Sequence, residues 1–309
     1  MARSLLEKHS KKEAPLAKRR DALRLLPGGR GNDNSELLTD FDWYHIHSFW
    51  KSSLLNEQYL RDDFQQVRSR ELQEYENGFQ VFLNQFLNLC DSRRAEKFET
   101  WNEDQTIRSW IMPVMETLGW WDNLTDPVIP ELTFTVRDGK QKRTYRPDCV
   151  FVPSQKLKGT IQEKDPSERL EHARRYVILT LEAKYWDRLR SYDKEERETA
   201  DNSNTTKSRK GDSASSLSPS GQILTYLKHL KNDDPVRNHF GVVTDGKVWR
   251  LHHVDRNEDK FFEFDLGDLF FEITAGKSIS DLKGKQYRHI EEAARYFYYV
   301  FSKQSLFQQ

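Results

Sequence analysis

The stretch from Tyr176 to Asp187, YVILTLEAKYWD, constrains most sharply what this 309-residue chain can fold into. It is a short apolar run ending in two charges one residue apart, the pattern of a buried strand whose end meets something polar. Successive side chains of a strand point to opposite faces, so Val177, Leu179, Leu181 and Ala183 are expected on one face. Ile178, Thr180, Glu182 and Lys184 are expected on the other. A carboxylate and an ammonium together at the end of a buried strand are costly unless a neighbour uses or neutralises them.

The first such neighbour is upstream, in Arg146-Pro147-Asp148-Cys149-Val150-Phe151-Val152. Proline is tolerated at the first position of a strand, which sets Asp148 at the mouth of a second short apolar strand. Pro147-Asp148 and Glu182-Ala183-Lys184 together spell PD…(D/E)xK, and Gln222 and Tyr226 follow in Ser220-Gly221-Gln222-Ile223-Leu224-Thr225-Tyr226-Leu227. On these residues the sequence resembles the PD-(D/E)xK nuclease superfamily, in particular the nuclease modules of fused restriction-modification enzymes. Asn102-Glu103-Asp104-Gln105-Thr106, leading into IRSWIMPVMETLGWWD, looks like the first helix of those modules. The segment from Phe240 to Leu251 looks like the strand, tight turn and strand that follow their glutamine helix. The likeness covers about residues 95 to 265. The methylating half of the fused enzymes is missing from this sequence: it has no Gly-rich cofactor loop and no Asn-Pro-Pro-Tyr stretch.

The resemblance implies an α/β, restriction-endonuclease-like fold, a mixed central sheet flanked by helices, with an N-terminal helical extension. It implies a Mg-dependent endodeoxyribonuclease, with Mn able to substitute, acting on DNA in restriction or defence. Asp148, Glu182 and the main-chain carbonyl of Ala183 would be the metal ligands. Lys184 would orient the water or stabilise the pentavalent oxyanion, and Glu103 would be an accessory acid. Gln222 would orient Lys184 or the scissile phosphate, with Tyr226 one helical turn further on. A homodimer or a partner defence subunit fits the same likeness. The alternative is a catalytically silent module of this fold that binds nucleic acid or a partner protein; the intact acid, acid and lysine set weighs against it.

Lys and Arg total 49, as do Asp and Glu, which argues against a wholly basic nucleic-acid coat and leaves room for a local basic cleft. Cys90 and Cys149 have no zinc-site spacing and suit a reducing compartment. The N-terminus lacks the apolar core of a secretory signal, and no run approaches the roughly 18 apolar residues of a membrane helix, so the expectation is a cytoplasmic protein without membrane contact.

Residues 1–92 read as a basic tail and a helical extension, and 93–309 as the nuclease-like domain. The basic tracts Lys11-Lys12 and Lys18-Arg19-Arg20 suit a frayed helical tail better than an arm on phosphate. His45 and His47 lack a third ligand and are assigned no chemistry. Ile107, Trp110, Ile111, Val114, Met115 and Leu118 recur at helical spacing, and Gly119 closes that helix. Glu131–Arg137 alternates as a strand, Asp138-Gly139 signals a hairpin, and the chain returns into the Asp148 strand. Residues 153–175 read as a polar connection, and 188–218 as a polar, mobile insertion: either tolerated, or ordering over nucleic acid through Lys207, Arg209 and Lys210. A helix at 221–230, strands at 240–244 and 248–253, an aromatic edge element at 260–273 and a terminal helix at 287–301 complete the expectation.

Overall fold

The structure is a computed structural model that describes residues 49–54, 73–121, 127–138, 141–192, 217–231, 240–276 and 284–307. The basic tail, His45, His47, Gly139 and the segment with Lys207, Arg209 and Lys210 lie outside the described residues.

The expected α/β architecture is present. In chain order the elements are β1 (Trp50–Ser52), α1 (Gln73–Ser92) and α2, which runs through Glu103–Thr106, Ile107–Ile111 and Met112–Thr117. Then come β2 (Val128–Pro130), β3 (Phe134–Asp138), β4 (Gln141–Tyr145), β5 (Cys149–Phe151), α3 (Gln155–Gln162), α4 (Pro166–Tyr176) and β6 (Leu179–Ala183). After them follow α5 (Pro219–Leu230), β7 (Phe240–Thr244), β8 (Val248–His253), β9 (Phe261–Asp265), α6 (Leu266–Thr274), α7 (Gly284–Phe301) and α8 (Lys303–Phe307). The main sheet has the order β1-β9-β8-β7-β6-β5-β2 among the described residues, and β3 and β4 form a separate ribbon. Every neighbouring pair in the main sheet is antiparallel except β6 and β7, which the α5 crossover joins in parallel.

Each sheet face carries its own core. On one side Leu179, Leu181 and Ala183 of β6, Trp249 and Leu251 of β8 and Phe262 and Phe264 of β9 meet apolar residues of α1, α2, α6 and α7. On the other side Val150, Val243 and Val248 meet α5, α4, α3 and the inner face of the β3–β4 ribbon. The terminal-helix stripe Ile290, Ala293, Ala294, Phe297 and Val300 is buried as its spacing predicts.

Several expectations are corrected. Val177 packs in the second core and Ile178 in the first, opposite to the alternation, because β6 begins only at Leu179 and the two preceding residues leave the pleat. The polar connection at 153–175 is two helices, α3 and α4, which bury only Ile161 and Ala173 fully; so thin an apolar stripe is hidden among the charges of the sequence. The aromatic element at 260–273 is not an edge strand: β9 is covered by β1, with Trp50 opposite Phe264, and the chain turns straight into α6. The chain does return through Thr144-Tyr145 into the Asp148 strand, but the β3–β4 hairpin stands apart from the main sheet, and β2 is an additional strand paired to β5. The segment read as an N-terminal extension supplies β1 to the main sheet and Phe79, Phe82 and Phe86 of α1 to its larger core.

Candidate functional site

Asp148 precedes β5, as the proline-led strand start predicts, and its carboxylate crosses to the neighbouring strand: the Ala183 N–H donates to Asp148 Oδ2 at 2.7 Å. This bond explains the composition of the strand junction. The register pairs Cys149 with Leu181, and two residues further on Ala183 comes opposite Pro147. Proline has no N–H to give to the Ala183 carbonyl, so the ladder ends there, and the Asp148 carboxylate accepts the Ala183 N–H. The N–H and C=O of one strand residue share an edge, which directs the Ala183 carbonyl to the Asp148 side as well.

Glu182 and Lys184 lie on the face expected of them. Lys184 Nζ donates to Glu182 Oε1 at 2.6 Å, with side-chain exposures of 13% and 5%. The Lys184 N–H donates to the Thr244 carbonyl of β7, which fixes the backbone beyond the strand end. Glu182 Oε2 is buried and has no hydrogen-bond partner among the described residues. An orphaned carboxylate oxygen is expensive, and the protonation balance reflects it: burial first and the Asp148 carboxylate second raise the Glu182 pKa to about 7, against the pull of Lys184. Burial likewise raises Asp148, opposed by the Ala183 hydrogen bond and by Lys184. Lys184 loses some basicity to burial, but Glu182, Asp148 and Glu103 together outweigh that and hold it charged. Cys149, free and buried beside these acids, has its thiol pushed up to about 12 and is inert.

Glu103 reaches the same place from α2. Its helix starts at Asn102, whose side chain accepts from the Gln105 N–H while the Gln105 side chain accepts from the Asn102 N–H, a reciprocal cap. Glu103 is half-buried; burial raises its pKa, Lys184 lowers it and Asp148 raises it, so it shares the field of the other two acids. Among the described residues no three His, Cys, Asp or Glu side chains form a ready-made cation cage. Asp148, Glu182 and the Ala183 carbonyl fit a small hard cation that keeps several waters, and the orphaned Glu182 oxygen is the feature such a cation would satisfy.

Gln222 is not drawn to Lys184. Its side-chain amide donates to the Leu217 carbonyl at 2.9 Å, which braces the start of α5. The α5 side chain that faces the acids is Tyr226: burial first, then Glu182 and Asp148, raise its pKa and keep its hydroxyl protonated. Two flanking residues escaped the sequence reading. Arg146 pairs with Glu131 at 3.6 Å and its charge opposes protonation of Asp148, a role its adjacency to Pro147-Asp148 could have signalled. Glu131 arrives only through β2 pairing with β5, its N–H donating to the Asp148 carbonyl at 2.8 Å, and no local pattern announces that.

Residues 188–192, expected as the start of a mobile insertion, are tied down. The Leu189 N–H donates to Asp245 Oδ2 at 2.7 Å, and Arg190 pairs with Glu263 at 3.0 Å and with Asp265 at 2.8 Å. Just before them, Trp186 stacks on Phe98 with centroids 4.3 Å apart, bolting the chain beyond Lys184 to the segment that leads into Glu103. No family model, curated protein or solved structure matches this chain. No helix among the described residues is long and apolar enough to cross a membrane.

Proposed function

We propose that this protein is a metal-dependent nuclease that hydrolyses phosphodiester bonds of DNA at the end of β6, in restriction or defence, as the sequence resemblance implies. The reading rests on the buried, unpartnered Glu182 oxygen held beside Asp148 and the Lys184 ammonium. Asp148, Glu182 and the Ala183 carbonyl would hold Mg, or Mn in its place. A hard cation there supplies charge neutralisation on the phosphate and a lowered pKa for an attacking water. Lys184, steadied by Glu182, is a fixed point charge for the oxyanion that develops on phosphorus. Tyr226 keeps its proton and can donate a hydrogen bond to a phosphate oxygen, the part first assigned to Gln222. Glu103 is an accessory acid on the opposite wall. The two buried free thiols suit a reducing, cytoplasmic setting.

The test is cleavage of plasmid, single-stranded DNA and RNA with Mg, with Mn and with chelator, beside calorimetric metal titration. Cleavage of DNA is expected only with metal. In Asp148→Asn the amide oxygen can still accept the Ala183 N–H, so the fold should survive while metal affinity and cleavage fall together. In Lys184→Ala metal binding should persist and the rate should drop about a hundred- to thousandfold, the loss typical of one preorganised charge. A parent protein that cleaves no nucleic acid with either metal leaves the binding-module alternative.

A further inference from the structure

The β3–β4 ribbon pairs with no strand of the main sheet among the described residues, yet it is firmly based. Phe134 and Tyr145 stack at 5.7 Å on its inner face, and Tyr145 lies 4.7 Å from the His229 ring of α5 and 6.3 Å from the ring of Tyr226, centroid to centroid. The ribbon is thus braced against the helix that walls the acids. Its outer face holds an arrangement that folding does not explain: Arg137 stands directly opposite Lys142, and both are exposed. Like charges facing each other across two strands are destabilising. Neither residue has an acidic partner among the described residues; Arg143, also exposed, stands opposite Val136 and so belongs to the other face of the ribbon, on the side of His229. Arg143 and Arg174 both act on His229, whose pKa is lowered by burial first and by these two cations next. At the foot of the ribbon Arg146 adjoins Asp148. Arg137, Lys142 and Arg143 thus put three cations on the ribbon, and Arg146 lies between it and the acids.

We infer that the β3–β4 ribbon grips the phosphate backbone of a DNA duplex, lying in the major groove beside the scissile position with Arg137 and Lys142 on phosphates. The inference rests on the nuclease reading, because it is Arg146 and Asp148 that join the ribbon to the site. Five-residue strands span about 17 Å, and the B-form major groove, about 12 Å wide, admits a two-stranded ribbon. The A-form RNA groove is too deep and narrow for one, so a DNA duplex is the partner.

Fluorescence anisotropy in chelator, where no metal-dependent cleavage occurs, measures binding of the parent and of Arg137→Gln/Lys142→Gln to a labelled DNA duplex, its single strand and an RNA duplex. The double variant should bind the DNA duplex about tenfold or more weakly, with the slope of log affinity against log salt reduced by about 2. Its thermal midpoint should hold or rise, since it relieves the opposed charges; a purely structural role would lower it. If the parent binds and cleaves DNA and the variant binds it equally well, the ribbon inference is overturned and the nuclease reading stands. If the parent binds duplex DNA without cleaving it and the variant is weakened, the ribbon is supported and the nuclease reading fails. Preference for RNA duplex or for single strands overturns the ribbon inference, and a parent that binds no nucleic acid overturns both.

Discussion

Asp148 does two jobs with one carboxylate. One oxygen accepts the Ala183 N–H at the end of the β5–β6 ladder, and the charge that remains sits against Glu182. His252 is fully buried on β8, its Nε2 3.2 Å from Ser220 Oγ, its ring 5.5 Å from that of Phe261, and Arg250 lies nearby. Burial first and Arg250 second lower its pKa from 6.5 to about 3. The folded state therefore keeps the ring neutral while the unfolded chain takes up a proton below about pH 6.5. Its contribution to stability is complete above pH 6.5 and is lost as pH falls through the window from 6.5 towards 3. Between pH 7 and pH 5 this single group should cost about 2 kcal/mol of stability. Urea unfolding of the parent and of His252→Gln at both pH values checks it: the variant should lose about that much less, and parallel losses would exclude His252 as the source.

At the level of elements, α2 and the β7–β8 turn form one unit. Pro113 cannot donate to the helix ladder and its ring crowds the preceding turn, and the helix widens just before it, the Met112 N–H reaching back to the Ile107 carbonyl. Trp110 Nε1 then donates to the Gly246 carbonyl at 2.8 Å. Gly246 has φ +85°, and a Cβ on it would meet Trp186 at 3.0 Å and both Thr106 and Trp110 at 3.1 Å. Gly119, at the end of α2, has φ +79° with nothing within 4 Å. Gly119→Ala should therefore cost only the left-handed backbone strain, about 1 to 2 kcal/mol, whereas Gly246→Ala adds crowding and should cost about 3 kcal/mol or more. Equal losses in chemical unfolding would show that the aromatic packing around Gly246 yields freely. Since Trp186 lies two residues beyond Lys184, Gly246→Ala should also slow any cleavage more than Gly119→Ala does.

Across the whole molecule, the ends of the chain close the fold. α1 buries Phe79, Phe82 and Phe86 against a core that includes Phe297 and Tyr298 of α7, and Arg295 of α7 pairs with Glu76 of α1. β1 covers β9 and brings Lys51 to Glu263, which is buried and also holds Arg250 at 2.7 Å and Arg190 at 3.0 Å. A chain reduced to residues 93–309 would expose the ring-lined side of α7 and leave the Glu263 cluster short of one cation. It should lack a cooperative thermal transition and bind a hydrophobic dye, whereas the full chain should unfold cooperatively. A truncated chain with the parent's transition would show that residues 93–309 fold without α1 and β1.

What the sequence determined by itself is what alternation, helical spacing and proline chemistry can carry. These placed Glu182 and Lys184 on one face, Asp148 at a strand mouth, the α7 stripe inward and the turn at Asp245-Gly246 between two strands. Each depends on neighbours within a few residues, so each was legible. Tertiary structure decided what depends on partners far apart in the chain. It turned Gln222 to Leu217 and Tyr226 to the acids, brought Glu131 beside Asp148, and set Trp50 against Phe264. It separated the β3–β4 ribbon from the main sheet, and it made helices of 155–162 and 166–176, whose narrow apolar stripes acquire a helical meaning only when β2 and the ribbon cover them. Alternation says which face a side chain takes; only the packed neighbours fix what that face meets.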